Sequence, residues 1–249
     1  MNKQDFLEEF GAPVDSYALG QGFAESLRGR VPDDLISFWL EYGVGSYAGG
    51  FYRFCTPDFF DPFLSWLLTN TPSLNGKLAA VGYSAFGVID LCHVDGRYFN
   101  LIAQFASIQD QSSNRATMPL PYNIAELYAL SGAKMPDDPE EVARQMKLGP
   151  LTVWDQLATG ASEETYRNYF GEDDLPLPAE VERLLGPVSA NEVYLRRDVS
   201  GENVASSYEK VAIGDLPAHI LVDEVEVNRF IQVDGLQDVE TETFFIPGR

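Results

Sequence analysis

The chain has 249 residues, 45% of them hydrophobic, and its 38 acidic and 17 basic residues give a formal net charge of -21. This length suits one large domain or two modest ones with a substantial core. The charge argues against nucleic acid as a ligand, because that binding depends on Lys and Arg side chains that neutralise phosphates. It disfavours an anionic membrane surface for the same reason.

The negative charge is spread unevenly along the chain. Residues 1–130 hold 7 basic and 14 acidic residues, whereas residues 131–249 hold 10 basic and 24 acidic residues. Such a surface steers a basic protein partner toward it, although acidity also serves solubility. No apolar run is long enough to span a membrane, and no basic segment followed by an apolar one opens the chain. With Cys55 and Cys92 in apolar runs typical of buried free thiols, these features predict a cytoplasmic protein.

The stretch from Pro32 to Gly43 has every signal of a short buried helix. Proline suits the first turn, Asp33 and Asp34 complement the positive helix end, and Gly43 suits the position after the last turn. Apolar residues surround nearly the whole segment between them. A helix that is apolar on most faces has to be buried on most faces, so the N-terminal region is expected to pack around it.

Downstream, residues 78–103 change to the period of β-strands. Residues 51–55, 78–83, 86–93 and 97–103 are four strand candidates, and Asp95-Gly96 is the strongest hairpin signal in the chain. We therefore predict an α+β fold, in which helices cover one face of an antiparallel sheet of about four strands.

The polar run 109–114 marks a predicted domain boundary. It separates an N-terminal α+β domain, 1–110, from a smaller helical and β domain, 119–249. In the second domain, helices are predicted within 119–185, and strands over 192–199, 206–213 and 225–233.

One spaced set of residues resembles a known family. The segment VPDDLISFWLEYGVGSYAGGFYRFCTPDFF is similar to a motif of the GAD-like domain, and Ser84-Ala85-Phe86-Gly87 resembles a strand found later in that domain. The resemblance covers roughly residues 1–110. It implies the N-terminal part of a bacterial immunity protein that neutralises a DNase toxin of a type VI secretion system. An LGPL-like segment is then expected in the second domain, and Leu148-Gly149-Pro150-Leu151 and Leu185-Gly186-Pro187-Val188 are the two candidates.

The sequence carries no recognisable catalytic or cofactor motif. Neither His93 nor His219 belongs to a spacing typical of zinc, so no metal or cofactor is predicted. The glycines of 43–50 precede a strand and lack a closing Lys-Ser/Thr, which excludes a phosphate-binding loop. Ser84 has neither flanking glycines nor an obvious base, so it is not a nucleophile elbow. The chain is therefore predicted not to be an enzyme.

Paired carboxylates are plentiful, and those at predicted helix starts are explained by capping. Only Glu172-Asp173-Asp174 lacks such a local explanation, and together with further carboxylates it is predicted to form an acidic contact surface for a basic toxin, which is expected to be a nuclease. These candidate partner-binding residues are Glu163, Glu164, Glu172, Asp173, Asp174, Glu180, Glu182, Asp223, Glu224 and Glu226.

Two other hypotheses remain open on the sequence alone. The second hypothesis is an enzyme or a small-ligand protein on the same scaffold that uses a carboxylate pair, and a deep pocket with raised carboxyl pKa values would favour it. A general adaptor is the third. A flat or convex acidic face would favour the inhibitor.

Overall fold

A computed structural model describes Leu7 and residues 12–47, 50, 52–110, 177–197, 204–233 and 236–248. The helices predicted within 119–170 lie outside the described residues. No helix in the described part is long and apolar enough to cross a membrane.

The described chain combines helices and strands, as an α+β fold requires. Its five α-helices are α1 (Gln21–Ser26), α2 (Asp33–Tyr42), α3 (Asp61–Leu67), α4 (Leu177–Leu185) and α5 (Leu216–His219). Its strands are β1 (Val14–Tyr17), β2 (Val44–Tyr47), β3 (Tyr52–Phe54), β4 (Leu78–Ser84), β5 (Val88–His93), β6 (Tyr98–Ile102), β7 (Ser107–Asp110), β8 (Glu192–Arg196), β9 (Tyr208–Ala212), β10 (Glu224–Val233) and β11 (Leu236–Phe245).

The α+β class is confirmed, but the prediction of about four strands is wrong. Nine of the described strands form one sheet in the order β1-β2-β3-β4-β5-β6-β7-β10-β11, and β8 and β9 form a separate hairpin. The neighbours pair antiparallel except β7 and β10, which run parallel. The four predicted strands correspond to β3, β4, β5 and β6 at the centre of the sheet. The remaining five strands extend it on both sides.

Helix α2 lies where a helix was predicted, but it is buried on one side only, since Leu40 and Glu41 are exposed. Asp33 and Asp34 occupy its first turn, and Gly43 follows its last residue with φ +88°. Phe38 and Trp39 are fully buried, and the Phe38 ring lies 5.4 Å from that of Phe54 on β3. The helix is thereby packed against the sheet by one face, whereas its apolar circumference predicted burial on most faces.

Two buried clusters cover the two faces of the sheet. Successive residues of a strand point to opposite faces, and on β5 Cys92 belongs to one cluster while Leu91 belongs to the other. Helices α2 and α4 contribute to the Cys92 side, and α3 contributes to the Leu91 side. Helices therefore pack against both faces, whereas the sequence predicted one covered face.

The C-terminal strands continue the sheet across the predicted boundary at 109–114. Glu226 of β10 pairs with Ser107 of β7, and Val225 and Val227 of β10 are buried in the same cluster as Ile108. The described parts of 1–110 and of 177–248 thus share one sheet and its cores, and the division into two domains stays a prediction.

Candidate functional site

The predicted contact carboxylates that the structure describes lie on two elements. Glu180 and Glu182 lie on α4, where Glu180 is 3.8 Å from Arg183. Asp223 precedes β10, and Glu224 and Glu226 belong to it. No hydrogen bond or ion pair joins the two groups within the described residues. The other predicted contacts, Glu163, Glu164, Glu172, Asp173 and Asp174, lie outside the described residues.

A different carboxyl group, which the sequence analysis did not select, is buried inside the sheet. Asp90 on β5 is 8% exposed. Its Oδ2 accepts a hydrogen bond of 2.7 Å from the Tyr52 hydroxyl, and its Oδ1 lies 2.5 Å from the side-chain nitrogen of Asn100. Both neighbours are also buried. Asp90 therefore meets neutral polar groups from β3 and β6 on either side of its own strand.

Burial is the main influence on this carboxyl group. Desolvation raises the pKa of Asp90 to about 7, against the hydrogen bonds from Tyr52 and Asn100, which lower it. Desolvation likewise raises the pKa of the Cys55 and Cys92 thiols well above the usual value, and the Asp90 charge raises both further. The thiols are therefore poor nucleophiles near neutral pH, because the thiolate is the reactive form.

One glycine makes the contact between Tyr52 and Asp90 possible. Gly82 of β4 lies between the two strands, and a Cβ atom at this position would collide with the Tyr52 hydroxyl. The small residue leaves the space through which Tyr52 reaches across β4. The sequence signals were Gly82 inside a strand pattern and a single carboxyl inside the apolar run 88–92.

A second buried polar side chain joins β3 to the C-terminal region. Arg53 is 7% exposed, and its guanidinium donates to the carbonyl oxygens of Val188 at 2.7 Å and Ser189 at 2.6 Å. It also donates to the Ser46 hydroxyl at 3.0 Å. The flat, forked guanidinium suits several acceptors in one plane.

The segment that Arg53 binds is held by side chains at every carbonyl group from residue 186 to residue 190. Tyr194 donates to Gly186 O at 2.6 Å, and Lys210 donates to Pro187 O at 2.6 Å. Tyr83 donates to Ala190 O. We call residues 186–190 the clamped segment. It includes most of Leu185-Gly186-Pro187-Val188, one of the two LGPL-like candidates, and in this chain that motif fixes the end of α4 against the sheet.

A carboxylate, Glu192, also binds the clamped segment near its C-terminal end. Glu192 accepts a hydrogen bond of 2.9 Å from the Ser189 amide, and this bond holds the pKa of the Glu192 carboxyl below its usual value, with further lowering from Lys210 and Arg53. The backbone polar groups of 186–190 therefore form hydrogen bonds with side chains from four different strands. The segment has a structural role, because it connects these strands.

Neither polar centre resembles a metal site. Across the described residues, no group of three or more His, Cys, Asp and Glu side chains is placed to hold a metal ion. Asp90 has raised proton affinity but lies with Tyr52 and Asn100 instead of a second carboxylate. The chemistry available there is the gain or loss of one buried proton.

Comparisons with known proteins support the fold of the chain and the family resemblance of its N-terminal part. The crystal structure of Atu4351 from Agrobacterium tumefaciens is similar to this chain with a TM-score of 0.61 and 14% identity, over 95% of this chain and 96% of that one. At this identity the likeness concerns the fold alone. No curated protein matches the chain. The N-terminal resemblance is confirmed, since residues 2–103 match the model of the GAD-like domain family.

Proposed function

We propose that this protein is a cytoplasmic immunity protein that binds a secreted antibacterial toxin in a stoichiometric complex and catalyses no reaction. The toxin is a basic nuclease, and the acidic surface of this chain blocks its active site or DNA groove. One combined observation carries the proposal. Residues 2–103 match the GAD-like domain family, and the whole chain has a formal net charge of -21.

Complementary charge is the physical basis of this mode of inhibition. A nuclease presents Lys and Arg side chains to the phosphates of DNA, and carboxylates can occupy the same positions and accelerate association. Asp223 and Glu226 are exposed at the start of β10, with Glu224 half-buried between them. Within the described residues, no Lys or Arg forms an ion pair with any of the three, so their charge is available to a basic partner.

The alternative, a small-ligand protein or an enzyme, has one observation in its favour. Asp90 has the raised pKa expected of a catalytic carboxyl group. However, its described neighbours are Tyr52, Asn100 and two thiols inside the sheet, which gives a substrate no approach among these contacts. Abolition of a measured activity by Asp90→Asn, in a variant that still folds, would support the enzyme.

The decisive experiment captures the tagged protein from its native cytoplasm and identifies what co-elutes by mass spectrometry. A basic protein in one-to-one amount, whose DNA cleavage stops when this chain is titrated to equivalence, supports the proposal. A co-eluting protein that lacks nuclease activity, or cleavage that persists at excess inhibitor, contradicts the nuclease assignment.

Charge reversal then tests the predicted contacts. Changing Glu172, Asp173 and Asp174 together to Lys should slow association with the captured toxin by about tenfold or more at low salt. The matched control reverses three exposed carboxylates on other elements, Asp34, Asp58 and Asp215, and changes the net charge equally. Equal kinetics for the two triple variants would remove 172–174 from the interface.

A further inference from the structure

The two edge strands of the nine-stranded sheet differ in how they meet solvent. At one edge, β1 has four residues, its register with β2 shifts between Val14 and Tyr17, and Asp15 has a φ of +54°. A short, irregular edge strand discourages further pairing, because its backbone groups do not line up with those of another strand.

At the other edge, β11 is long and regular. It pairs with β10 over ten consecutive residues, from Leu236 opposite Val233 to Phe245 opposite Glu224, without a register shift. Its sequence, LQDVETETFF, contains neither Pro nor Lys, the residues most typical of a protected edge, and its charged residues are Asp238, Glu240 and Glu242. In the sheet that the described residues form, β11 is the last strand in the order.

The pairing pattern identifies the backbone groups that point outward. The amide of Ile246 donates to Asp223 O at 2.9 Å, so this pair is hydrogen-bonded and the alternate pairs along the strands are too. Thr241 and Thr243 fall at the positions between them, so their N–H and C=O groups face the open edge. Phe245 falls at such a position as well, and its carbonyl accepts a hydrogen bond of 2.9 Å from the Asn70 side chain.

The side chains along this edge favour a positively charged strand as a pairing partner. On one face Glu240 and Glu242 are exposed, and Arg229 approaches Glu242 only to 3.9 Å. On the other face Glu226 is exposed opposite Thr243, and the Phe245 ring is 71% exposed opposite Glu224. A second copy of β11 would bring these carboxylates against each other, so pairing between copies is disfavoured.

We propose that the outer edge of β11 is a docking site for an extended, lysine- or arginine-bearing segment of a partner protein, which adds to the sheet as a further strand. Backbone hydrogen bonds to Thr241 and Thr243 provide the pairing. Glu240 and Glu242 select alternate basic side chains, and Phe245 packs against the end of the added segment. This inference rests on the proposed function, which identifies the partner as a basic toxin. It adds how that partner would bind.

The test uses a synthetic probe, an acetylated decapeptide of alternating Thr and Lys, with the Thr and Glu decapeptide as its charge control. Amide hydrogen exchange by NMR should slow at Thr241 and Thr243 when the lysine peptide is added to the full chain, and added salt should reverse the effect. The glutamate peptide should leave both amides unchanged. Unchanged exchange at both positions with saturating lysine peptide would overturn the proposal.

One substitution separates edge pairing from simple charge attraction. Thr243→Pro removes an outward N–H and no ladder bond, and edge strands tolerate proline at such positions. It should weaken binding of the lysine peptide by about tenfold or more, whereas Thr243→Val, which retains the N–H, should change it by less than about twofold. Retained binding by the folded Pro variant, verified by its circular dichroism, would show attraction without strand addition.

The same variants distinguish this inference from the proposed function. If Thr243→Pro neutralises the captured nuclease as well as the unmodified chain does, the immunity function stands and the β11 site is wrong. If the lysine peptide protects Thr241 and Thr243 but the chain inhibits no nuclease, the edge site stands and the nuclease function is wrong.

Discussion

Asp90 and Arg53 lie two strands apart in the same sheet, and both side chains are more than nine-tenths buried, with 8% and 7% of their surface exposed. Each has to be removed from water, which is costly for a charged group. A carboxyl group can avoid that cost by keeping its proton, and the pKa of Asp90 rises to about 7. A guanidinium cannot lose its proton in a protein, so Arg53 has to be satisfied by acceptors.

The difference explains what each residue does for the fold. Arg53 binds two consecutive carbonyl groups of the clamped segment and so joins residues more than a hundred positions apart in the sequence. Asp90 accepts from Tyr52 and contacts Asn100, which lie on strands near its own. The buried cation therefore organises tertiary structure, whereas the buried acid makes stability depend on pH.

The largest expected effect comes from Arg53→Met, which keeps much of the volume but removes every donor. Val188 O and Ser189 O would lose their partners in a buried site, so we expect a loss of about 4 kcal/mol in the free energy of unfolding. Urea denaturation measures it. Arg53→Lys, which retains the charge but not the fork, should lose about half as much. A loss below about 1 kcal/mol for the Met variant would mean that water replaces Arg53 at the clamped segment.

The next effect is the pH dependence contributed by Asp90. Because the pKa is raised to about 7 from 3.8, the folded state holds a proton that the unfolded state has lost. The stabilising contribution is thus fully present below pH 3.8 and is lost as pH rises to about 7. Between pH 5 and pH 8 it should fall by about 3 kcal/mol relative to Asp90→Asn, which cannot ionise.

The measurement is urea denaturation of both proteins at the two pH values. Other carboxylates change stability equally in both, so the difference between the proteins isolates Asp90. A difference that is the same at pH 5 and pH 8 would contradict the raised pKa. That result would make Asp90 as indifferent to pH as Arg53 is.

The contrast also indicates which parts of this fold a sequence can reveal. The positions of helix α2 and of the hairpin at Asp95-Gly96 were predicted correctly because their signals are local: a charged first turn, a run of apolar residues and a turn-forming Asp-Gly pair. The strands predicted over 192–199 and 206–213 correspond to β8 and β9, and their signals are local as well. Strands β7 and β10, by contrast, pair in parallel across more than a hundred intervening residues, and no local pattern encodes that partnership.

Other strands were missed because competing signals were stronger. The residues of β2 lie in the glycine-containing stretch 43–50, where no strand was predicted, and β7 ends inside the polar run that suggested a domain boundary. The two buried polar residues, Arg53 and Asp90, were missed for a related reason. Arg53 and Asp90 are single charged residues in apolar runs, and only the assembled sheet brings their partners to them. The predicted acidic contacts remain predictions.

Gly82→Ala tests the Asp90 side of the comparison by geometry instead of charge. The added methyl group would collide with the Tyr52 hydroxyl, so we expect a loss of about 2 kcal/mol from overpacking. It should also extend the pH dependence to higher pH, because Tyr52 would move away from Asp90 and the hydrogen bond that lowers the pKa of this carboxyl group would be lost. Gly22→Ala is the matched control, since a Cβ there meets nothing within 4 Å and the site lies in α1. It should be neutral or stabilising, and an equal loss in both variants would remove the steric argument.

The smallest expected effect comes from Lys210, which binds the clamped segment next to Arg53. Lys210 donates to Pro187 O at 2.6 Å, next to the carbonyls that Arg53 binds, but its side chain is only half-buried. Water can therefore take its place in Lys210→Met, and we expect a loss of about 0.5 to 1 kcal/mol by urea denaturation. A loss as large as that of Arg53→Met would show that the clamped segment is closed to water along its whole length. In that case its stability would depend on all of its donors together, since no single carbonyl group could exchange a protein partner for solvent.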